Sequence, residues 1–450
     1  MAVKGFLSAL YEQPDMHRLA VAQERANAYA QARRVITMEP AAVIDAVKAA
    51  NLKGLGGAGF PTGMKWSFVP PKGDKPHYLV VNADEGEPGT FKDRRILLGC
   101  PHALLEGIII CCHAIRSEKA YIYVRGEYIH EMKRLQGAID EAYAAGLLGA
   151  DHLGTGRRLD VVVHPGAGAY ICGEETALIE SLEGKKGQPR NKPPFPAIEG
   201  LFMCPTVVNN VETLSYLPFL FEMGPQAFND LGANGTGGCH LVSLSGHIER
   251  PGVYEVPMGF PMMELINGLG GGVWKSRRLK AVIPGGLSAP ILTADEAQQA
   301  RLDFKTLRDM GSMAGSGAVM VIDDETPMIN VLLNCSHFYH DESCGQCTPC
   351  RDGSWWLYKI CLRIARGEGR VRDLDEIVRI CNNIEGNTIC AFGEATAWPI
   401  RSYVRKFRGE LEAFIQSGQR ASEADWYHDD LAAPPLVQIA GVAGTMGAHV

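Results

Sequence analysis

The sequence predicts an α/β protein whose first half is a doubly wound parallel sheet. Three short apolar runs, at 78–82, 120–124 and 159–164, alternate with two segments of helical periodicity, at 104–115 and 129–145. Strands that alternate with helices in this way are typical of a parallel sheet that helices cover on both faces. The pattern changes near residue 229 and again near residue 326, so we expect two further domains.

The elements follow one another as five predicted segments. Residues 1–50 should form an N-terminal helical segment, because 17–49 is rich in Ala and Pro40 suits the first turn of a helix. Residues 51–228 contain the α/β domain. Residues 229–325 show strand, strand, helix and strand patterns, an order that resembles a β-grasp, ubiquitin-like domain. Residues 326–420 show four helical patterns, the last at 396–417, and predict a helical bundle, whereas 421–450 lacks periodicity and is predicted to be a mobile tail.

Composition excludes several classes of partner. Among 450 residues, 44 Lys and Arg face 51 Asp and Glu, which leaves a net charge of -7 without a dense basic run. A nucleic-acid partner is therefore not expected. The 13 cysteines are scattered and odd in number, which favours reduced thiols over a disulfide framework. The longest apolar stretch, 108–112, is far shorter than a membrane span of about 20 residues, and residues 1–20 do not have a signal-peptide pattern.

Three evenly spaced cysteines give the strongest chemical signal. Cys344, Cys347 and Cys350 form a C-x2-C-x2-C run, which lets one tight loop present three thiolates to an iron–sulfur cluster. Structural zinc is the alternative, but zinc sites usually use two separated C-x2-C pairs. The fourth ligand is open between Cys361, Cys381 and Cys390 on spacing alone.

A glycine-dense loop precedes the first strand. Five glycines fall between residues 54 and 63, and Lys65 follows them. Such a loop lets backbone amides approach a phosphate or an aromatic ring, and a lysine adds charge for a phosphate. The spacing is not that of a phosphate-binding loop of NTPases, and an ordinary turn before a helix has the same composition.

Two acidic loops follow two of the predicted strands. Asp84, Glu85 and Glu87 come after the run 78–82, and Glu174 and Glu175 come after a Gly-Ala-Gly-Ala-Tyr segment that follows 159–164. Carboxylates accept hydrogen bonds from ribose hydroxyls and repel a 2′-phosphate, which favours NAD over NADP. A solvated acidic turn is the alternative for either loop alone.

Six segments together carry a family resemblance. They are GGAGFPTGMKWSF at 56–68, NADEGEPGTFKDR at 82–94, GAGAYICGEETALIESLEG at 166–184, KPPFPA at 192–197, VNNVETL at 208–214 and ESCGQCTPCRDG at 342–353. The chain resembles the NADH-binding flavoprotein subunit of respiratory complex I, which is the F subunit of bacterial NADH-quinone oxidoreductase or the 51 kDa type in mitochondria. The resemblance implies FMN and a 4Fe-4S cluster as cofactors and NADH as substrate. It also implies a thioredoxin-like 2Fe-2S subunit and a large iron–sulfur subunit as partners, and a cytoplasmic position on the inner face of the cell membrane, or the matrix side in a mitochondrion.

The resemblance also assigns residues. For FMN it implies Gly56, Gly57, Lys65, Asn82, Asp84, Tyr170, Gly173, Glu174, Val208, Asn209, Asn210 and Thr213. For NADH it implies Gly59, Phe60, Lys65, Phe68, Glu87, Glu175 and Phe195. For the cluster it selects Cys390 as the fourth ligand beside Cys344, Cys347 and Cys350.

The implied chemistry needs no protein nucleophile. A hydride passes from NADH to the flavin, and single electrons leave through the cluster toward quinone, so the protein positions the reactants and tunes their electrostatics. Three positions depart from the family pattern: Leu55 and Pro165 each replace an Arg, and Leu287 replaces a Ser. The first two departures predict weaker binding of an anionic cofactor. A diaphorase subunit of an NAD-reducing hydrogenase or of an NAD-linked formate dehydrogenase is the alternative function, and a zinc-binding scaffold without activity is the third.

Overall fold

The computed structural model describes residues 5–421, so the predicted mobile tail lies, apart from its first residue, outside the described residues. Five helices precede the first sheet, and the first four lie within the predicted N-terminal segment 1–50. They are α1 (Leu7–Tyr11), α2 (Leu19–Ala26), α3 (Ala30–Val35), α4 (Pro40–Ala49) and α5 (Thr62–Ser67).

The first sheet has four parallel strands and agrees with the predicted α/β class. In chain order its elements are β1 (Tyr78–Ala83), α6 (Asp93–Gly99), α7 (Pro101–Ile115), β2 (Lys119–Val124), α8 (Ile129–Ala144), β3 (Asp160–Pro165), α9 (Glu175–Leu182), α10 (Pro196–Glu199), β4 (Thr206–Asn210), α11 (Val211–Ser215), α12 (Leu217–Met223) and α13 (Pro225–Asp230). The strand order is β3-β2-β1-β4, and all neighbours are parallel. The chain therefore reverses its direction of winding between β1 and β4, which is the switch point where such sheets bind ligands.

Strand β4 is the strand of the first sheet that periodicity did not predict. It is five residues long and ends in two asparagines, Asn209 and Asn210, so its apolar run is too short to stand out. The strand forms because it pairs in parallel with β1, although its local sequence gives only a weak strand signal. Helix α7 packs tightly against α11, which follows β4, since a Cβ at Gly107 would lie 2.0 Å from the carbonyl oxygen of Leu214. Only glycine permits that approach, which holds α11 and the end of β4 in place.

The second sheet is mixed and has the predicted β-grasp arrangement. Its module contains β5 (Cys239–Gly246), β6 (Gly252–Pro257), β7 (Phe260–Pro261), β8 (Leu279–Ile283), β9 (Leu292–Thr293), α14 (Ala294–Ala297), β10 (Arg301–Leu302), α15 (Phe304–Asp309) and β11 (Ala318–Asp323). The order is β6-β5-β11-β8-β9, with β5 and β11 parallel in the centre and the other pairs antiparallel. The predicted helix at 262–269 is a π-helical turn, Glu264–Leu269. The predicted order of strand, strand, helix and strand did not include β11, which lies in the middle of the sheet.

The last module is a helical bundle, as predicted. Its helices are α16 (Met328–Asp341), α17 (Thr348–Ala365), α18 (Val371–Ile384), α19 (Phe392–Lys406) and α20 (Arg408–Ser417). The single helix predicted at 396–417 is wrong, because the chain bends at Phe407 (φ -116°, ψ 25°) and forms two helices. A continuous apolar period does not reveal a bend of one residue.

Within residues 5–421 no single helix has the length and apolar character of a membrane span. Helices α6 and α7 pass that test only as a pair and are bent by 104° at the break between them. Every residue of α7 is buried inside the protein.

Candidate active site

A cavity of about 850 Å³ lies where the three modules meet. Its volume is within the range of pockets that enclose a ligand of flavin size. The α/β module contributes acidic and glycine-rich loops, and the other two modules contribute α15 and α19. Nine of the predicted site residues line it: Gly56, Gly57, Asn82, Asp84, Glu87, Tyr170, Gly173, Glu174 and Asn210.

The end of β1 presents Asn82 and Asp84 to this cavity. The Asn82 amide donates to the carbonyl oxygen of Gly173 at 2.9 Å, and the Asp84 amide donates to the Asn82 side chain at 3.1 Å. Oδ2 of Asp84 is buried and has no hydrogen-bond partner within the described chain. Burial raises the pKa of Asp84 to about 7. A buried polar atom without a partner is costly, so this oxygen fits a site that a polar ligand completes.

The end of β4 supplies the opposite wall. Asn210 caps α11 with its side-chain oxygen, which accepts from the amide of Glu212 at 3.0 Å. Its amide group donates to Asp93 at 2.6 Å, which fixes its orientation. A Cβ at Gly56 would lie 2.9 Å from Cβ of Asn210, so the glycine loop passes directly over this side chain. A Cβ at Gly57 would meet nothing within 4 Å, and the backbone there faces open space.

Lys65 and three other residues predicted to contact FMN support the site without lining the cavity. The amide of Leu55 donates to Oγ1 of Thr213 at 2.9 Å. The indole of Trp66 donates to Asn209 at 2.9 Å. Backbone and side-chain donors are thereby satisfied inside the α/β core, and the glycine loop is attached to β4 and α11. The remaining residue, Val208, offers its carbonyl oxygen to Lys65 at 3.0 Å.

Leu55 and Pro165, which stand where the family has arginines, do not line the cavity. Leu55 is 1% exposed and belongs to the core of the α/β module. Pro165 ends β3 on the surface. Neither residue lines the cavity, so the structure gives no support to the expectation that these departures weaken cofactor binding.

A chain of alternating charges runs beside the cavity. Lys192 pairs with Glu174 at 3.0 Å and with Glu175 at 2.7 Å. Although burial raises the pKa of Glu175, Lys65 and Lys192 hold it below its usual value. Burial lowers the pKa of Lys65, and Glu175 opposes that effect. Glu174 also caps α9 by accepting from the amides of the first turn.

Glu87 already has three donors from the protein. Tyr170 donates its hydroxyl at 2.6 Å, and Ser288 donates its amide at 2.8 Å and its hydroxyl at 2.7 Å. Burial raises the pKa of Glu87, and these hydrogen bonds oppose that effect. A carboxylate has about four acceptor sites, so one remains for a ligand donor. The carboxylate also joins the α/β module to the β-grasp module.

The predicted NADH aromatics lie outside the cavity. Phe60 and Phe68 form a tilted pair with ring centres 6.2 Å apart. Phe195 is 58% exposed. Gly59 has φ +67°, and a Cβ there would lie 2.4 Å from the ring of Phe304, so the turn before Phe60 requires glycine. The assignment of these residues to NADH stays a prediction.

Sequence reasoning missed a buried ionic network in the cavity wall. Lys92 is fully buried and pairs with Asp93 at 2.9 Å and with Glu212 at 2.6 Å. Glu212 also accepts from His240 at 3.0 Å, which links the α/β module to β5. Burial lowers the pKa of Lys92, but Asp93 and Glu212 together raise it by more, so the lysine stays charged. The signal was available, because Lys92-Asp93 and Glu212 lie inside two of the six segments that carry the family resemblance.

The cysteine loop lies between α16 and α17. Cys347 precedes α17, Cys350 lies in its first turn, and Cys390 ends the loop before α19. Burial raises the pKa of Cys390 to about 12, and the nearby charges of Glu174, Cys344 and Cys350 add to the effect. Burial likewise raises the pKa of Cys350 to about 12. A hydrogen bond with the hydroxyl of Ser343, which lies 3.2 Å from the sulfur, opposes this effect. Buried thiols of this kind become thiolates when positive charge lies beside them, and the iron ions of a cluster would supply that charge.

The other cysteine candidates lie elsewhere. Cys361 and Cys381 are fully buried in the bundle, on α17 and α18. Among residues 5–421 no group of three or more His, Cys, Asp or Glu side chains is placed to hold a metal ion. The choice of Cys390 as fourth ligand therefore remains a prediction that its neighbours Cys344 and Cys350 favour.

Direct contacts join the α/β module to the cysteine loop. The amide of Tyr170 donates to Glu342 at 3.0 Å, and the side chain of Gln188 donates to the carbonyl oxygen of Cys344 at 3.3 Å. The ring of Tyr170 also packs edge-on against Phe392, with centres 5.8 Å apart. The cavity and the four predicted cluster ligands are therefore neighbours.

Comparison with known proteins agrees with this geometry. Residues 47–218 match the model of the Nuo51 FMN-binding domain, residues 240–321 match the SLBB domain, and residues 330–414 match the NADH-ubiquinone oxidoreductase-F iron-sulfur binding region. The second of the NADH-quinone oxidoreductase F subunits of Rhizobium meliloti is 48% identical over 90% of this chain and 96% of its own length. The NADH-quinone oxidoreductase F subunit of Streptomyces coelicolor is 47% identical over 91% of this chain and 90% of its own length.

A solved structure shows the same fold. A chain of an NAD+-reducing [NiFe]-hydrogenase in the H2-reduced state superposes with a TM-score of 0.80 and is 35% identical over 88% of this chain. This chain spans 66% of that longer chain.

Fold and site together define a flavoprotein with an FMN-binding α/β domain and a 4Fe-4S region. The chain belongs to the family of NADH-quinone oxidoreductase F subunits. The predicted family, fold class and cofactors are confirmed, as is the predicted enzyme class. The iron–sulfur match removes the support for a zinc scaffold. Membership also makes the protein a component of a multi-subunit complex.

Proposed function

We propose that this chain is the electron-entry subunit of an NADH-quinone oxidoreductase, where it oxidises NADH and passes single electrons through its cluster toward quinone. The observation that carries the proposal is the position of one cavity, lined by Asn82, Asp84 and Asn210, beside a loop with three of the four predicted cluster cysteines. Family membership supports the same function.

The bound FMN would supply the chemistry that converts one hydride into two single electrons. Asn82, Gly173 and Asn210 would bind the cofactor through groups whose orientations other hydrogen bonds already fix. Fixed donors cost little reorganisation when charge develops on the cofactor. Glu87 and Glu175 would accept hydrogen bonds from the nucleotide, and the negative charge around them would disfavour a 2′-phosphate.

The remaining parts of the proposal concern the surroundings of the chain. The partners would be a thioredoxin-like 2Fe-2S subunit and a large iron–sulfur subunit, which accept the electrons. The chain would lie in the cytoplasm against the inner face of the cell membrane, or on the matrix side in a mitochondrion.

The domain boundaries would be 51–228, 229–325 and 326–420, with helices before them and a tail after them.

One spectroscopic experiment tests the function. The chain is purified anaerobically, together with the small thioredoxin-like partner if needed, and its visible spectrum is recorded before and after NADH and, separately, NADPH. Flavin and cluster absorbance that bleaches with NADH and much less with NADPH is the expected result. Protein that binds FMN but does not bleach with NADH would contradict the proposal.

A diaphorase subunit of an NAD-reducing hydrogenase is the second candidate. The structural match to such a hydrogenase favours it, since a TM-score of 0.80 extends over 88% of the chain. Both candidates share the NADH chemistry and differ only in partners. Affinity purification of the chain from its own cells would distinguish them, because a hydrogenase would co-purify with nickel and a quinone reductase would not.

A further inference from the structure

The predicted fourth cluster ligand, Cys390, lies on the connection between α18 and α19, and this connection is held by one carboxylate. Glu385 ends α18 and accepts from the indole of Trp398 at 2.7 Å and from the guanidinium of Arg401 at 2.5 Å. The next residue, Gly386, donates its amide to Glu394 at 3.0 Å. Three residues of α19 therefore bond to the start of the connection that bears Cys390.

These bonds are of the strong kind. Arg401 also donates to Asn382 at 2.8 Å, so its guanidinium reaches α18 at two points. The hydrogen bond from Arg401 holds the pKa of Glu385 below its usual value, which keeps the carboxylate ionised at neutral pH. Charge-assisted hydrogen bonds are about twice as strong as neutral ones and set a defined geometry.

The rest of the connection is equally confined. The hydroxyl of Thr388 donates to the carbonyl oxygen of Cys390 at 2.9 Å. A Cβ at Gly393 would lie 2.3 Å from the same hydroxyl, so α19 begins in close contact with the connection. The position of Cys390 thus depends on how α18 and α19 are joined.

The α19 residues that hold the connection also form a wall of the flavin cavity. Glu394, Trp398 and Arg401 fall on one side of the helix, at intervals of four and three residues, and all three line the cavity. Each of them binds the start of the connection through its polar group and also lines the cavity. A displacement of this wall would therefore move the cluster ligand.

We propose that Glu385 is a positioning residue for the iron–sulfur cluster, which fixes Cys390 by binding Trp398 and Arg401 in the wall of the flavin cavity. The inference rests on the proposed function, since it requires both cofactors. It predicts that occupancy of the cavity and retention of the cluster are coupled, and such coupling acts equally in both directions.

The test compares iron release from anaerobically loaded protein to a chelator, with FMN present and with FMN removed. In Glu385→Ala we expect release about tenfold faster, which corresponds to about 1.4 kcal/mol, and a changed EPR spectrum of the reduced cluster. In the wild type FMN should slow iron release, and in Glu385→Ala this effect of FMN should be lost. Glu385→Gln keeps an acceptor for Trp398 and should give an intermediate rate.

A matched control is Glu376→Ala, which removes an exposed ion pair with Arg379 from the same helix. It should release iron at the wild-type rate. If Glu385→Ala does not fold, Glu385→Gln and Arg401→Gln replace it, and both should release iron faster than the wild type. Wild-type rates and wild-type EPR spectra in the folded Glu385 and Arg401 variants would overturn the inference. Wild-type protein without a cluster would instead overturn the proposed function.

Discussion

The backbone amide of Tyr170 donates to the carboxylate of Glu342 at 3.0 Å. Tyr170 belongs to a loop that lines the cavity proposed to bind FMN, and Glu342 comes two residues before Cys344. The cavity loop and the cysteine loop are thus bonded directly, without an intervening element. If FMN and the cluster bind where we propose, this contact lies between them.

Replacement of Glu342 by Ala should therefore slow the step between the cofactors and leave the first step intact. The Tyr170 amide loses its acceptor, and the loss of one charge-assisted bond costs about 1.5–3 kcal/mol. Rapid mixing with NADH should show flavin bleaching at the wild-type rate and slower reduction of the cluster. Asp341→Ala is the control, because this exposed neighbour pairs with His337 and not with the flavin loop. If the cluster is reduced equally fast in Glu342→Ala and Asp341→Ala, the hydrogen bond between Tyr170 and Glu342 does not affect the step between the cofactors.

Replacement of Cys390 by Ser should abolish the cluster. Serine keeps the size of the side chain but removes the thiolate that iron requires, so iron content and the EPR signal should fall together. Cys361→Ser and Cys381→Ser provide the comparison. Each of these puts a hydroxyl into the bundle core and should lower stability while the cluster stays. A normal cluster in Cys390→Ser, with loss of the cluster in one of the others, would move the fourth ligand there.

Asp84 should make stability depend on pH. Its pKa is raised from 3.8 to about 7 in the folded protein, so the folded chain binds this proton more tightly than the unfolded chain. The stability that protonation contributes is present at acid pH and is lost as the pH rises through about 7. The free energy of unfolding of the flavin-free protein should therefore fall by up to about 1.4 kcal/mol per pH unit as the pH rises toward 7. Above pH 7 it should level off.

Asp84→Asn should remove its part of this decline, as denaturant unfolding at pH 5, 6, 7 and 8 would show. Glu85 is the second contributor, because burial raises its pKa to about 7 as well. Asp45→Asn is the control, since Asp45 is exposed on α4. An identical pH dependence in the wild type and in Asp84→Asn would show that this carboxyl does not titrate in that range.

The sequence predicted the α/β class, the β-grasp order and the bundle, because each has its own apolar period and breakers. It also predicted nine residues of the cavity wall, since they lie in segments that resemble a family. It did not predict β4, whose pairing with β1 outweighs a weak local signal, or β11, which pairs with β5 and β8 in the middle of the second sheet. It also missed the contribution of α19, because Trp398 and Arg401 are brought to the cavity by helix packing that no local pattern encodes.

Glu175 should contribute to the choice between NADH and NADPH. It lies near Lys65, pairs with Lys192 at 2.7 Å, and these two lysines keep it ionised. Glu175→Gln should weaken NADH binding by about tenfold, equivalent to about 1.4 kcal/mol, and should improve the relative use of NADPH because a negative charge is lost. Steady-state kinetics with both nucleotides give the ratio. Glu127→Gln, on an exposed turn beside Arg125, should leave the ratio unchanged.

The hydrogen bond between Leu55 and Thr213 should hold the glycine loop in place. Its hydroxyl is fully buried and accepts from the amide of Leu55 at 2.9 Å. Valine has nearly the same shape but no acceptor, so Thr213→Val leaves a buried N–H without a partner, at a cost of about 1–3 kcal/mol. The loop that carries Gly56 and Gly57 should then loosen, and the affinity for FMN should fall by about tenfold, as flavin fluorescence would measure. Thr213→Ser keeps the hydroxyl and should retain most of the affinity, because only a methyl group is lost. If both variants bind FMN equally well, the hydrogen bond to Leu55 does not hold the loop, and the close approach of Gly56 to Asn210 alone positions it.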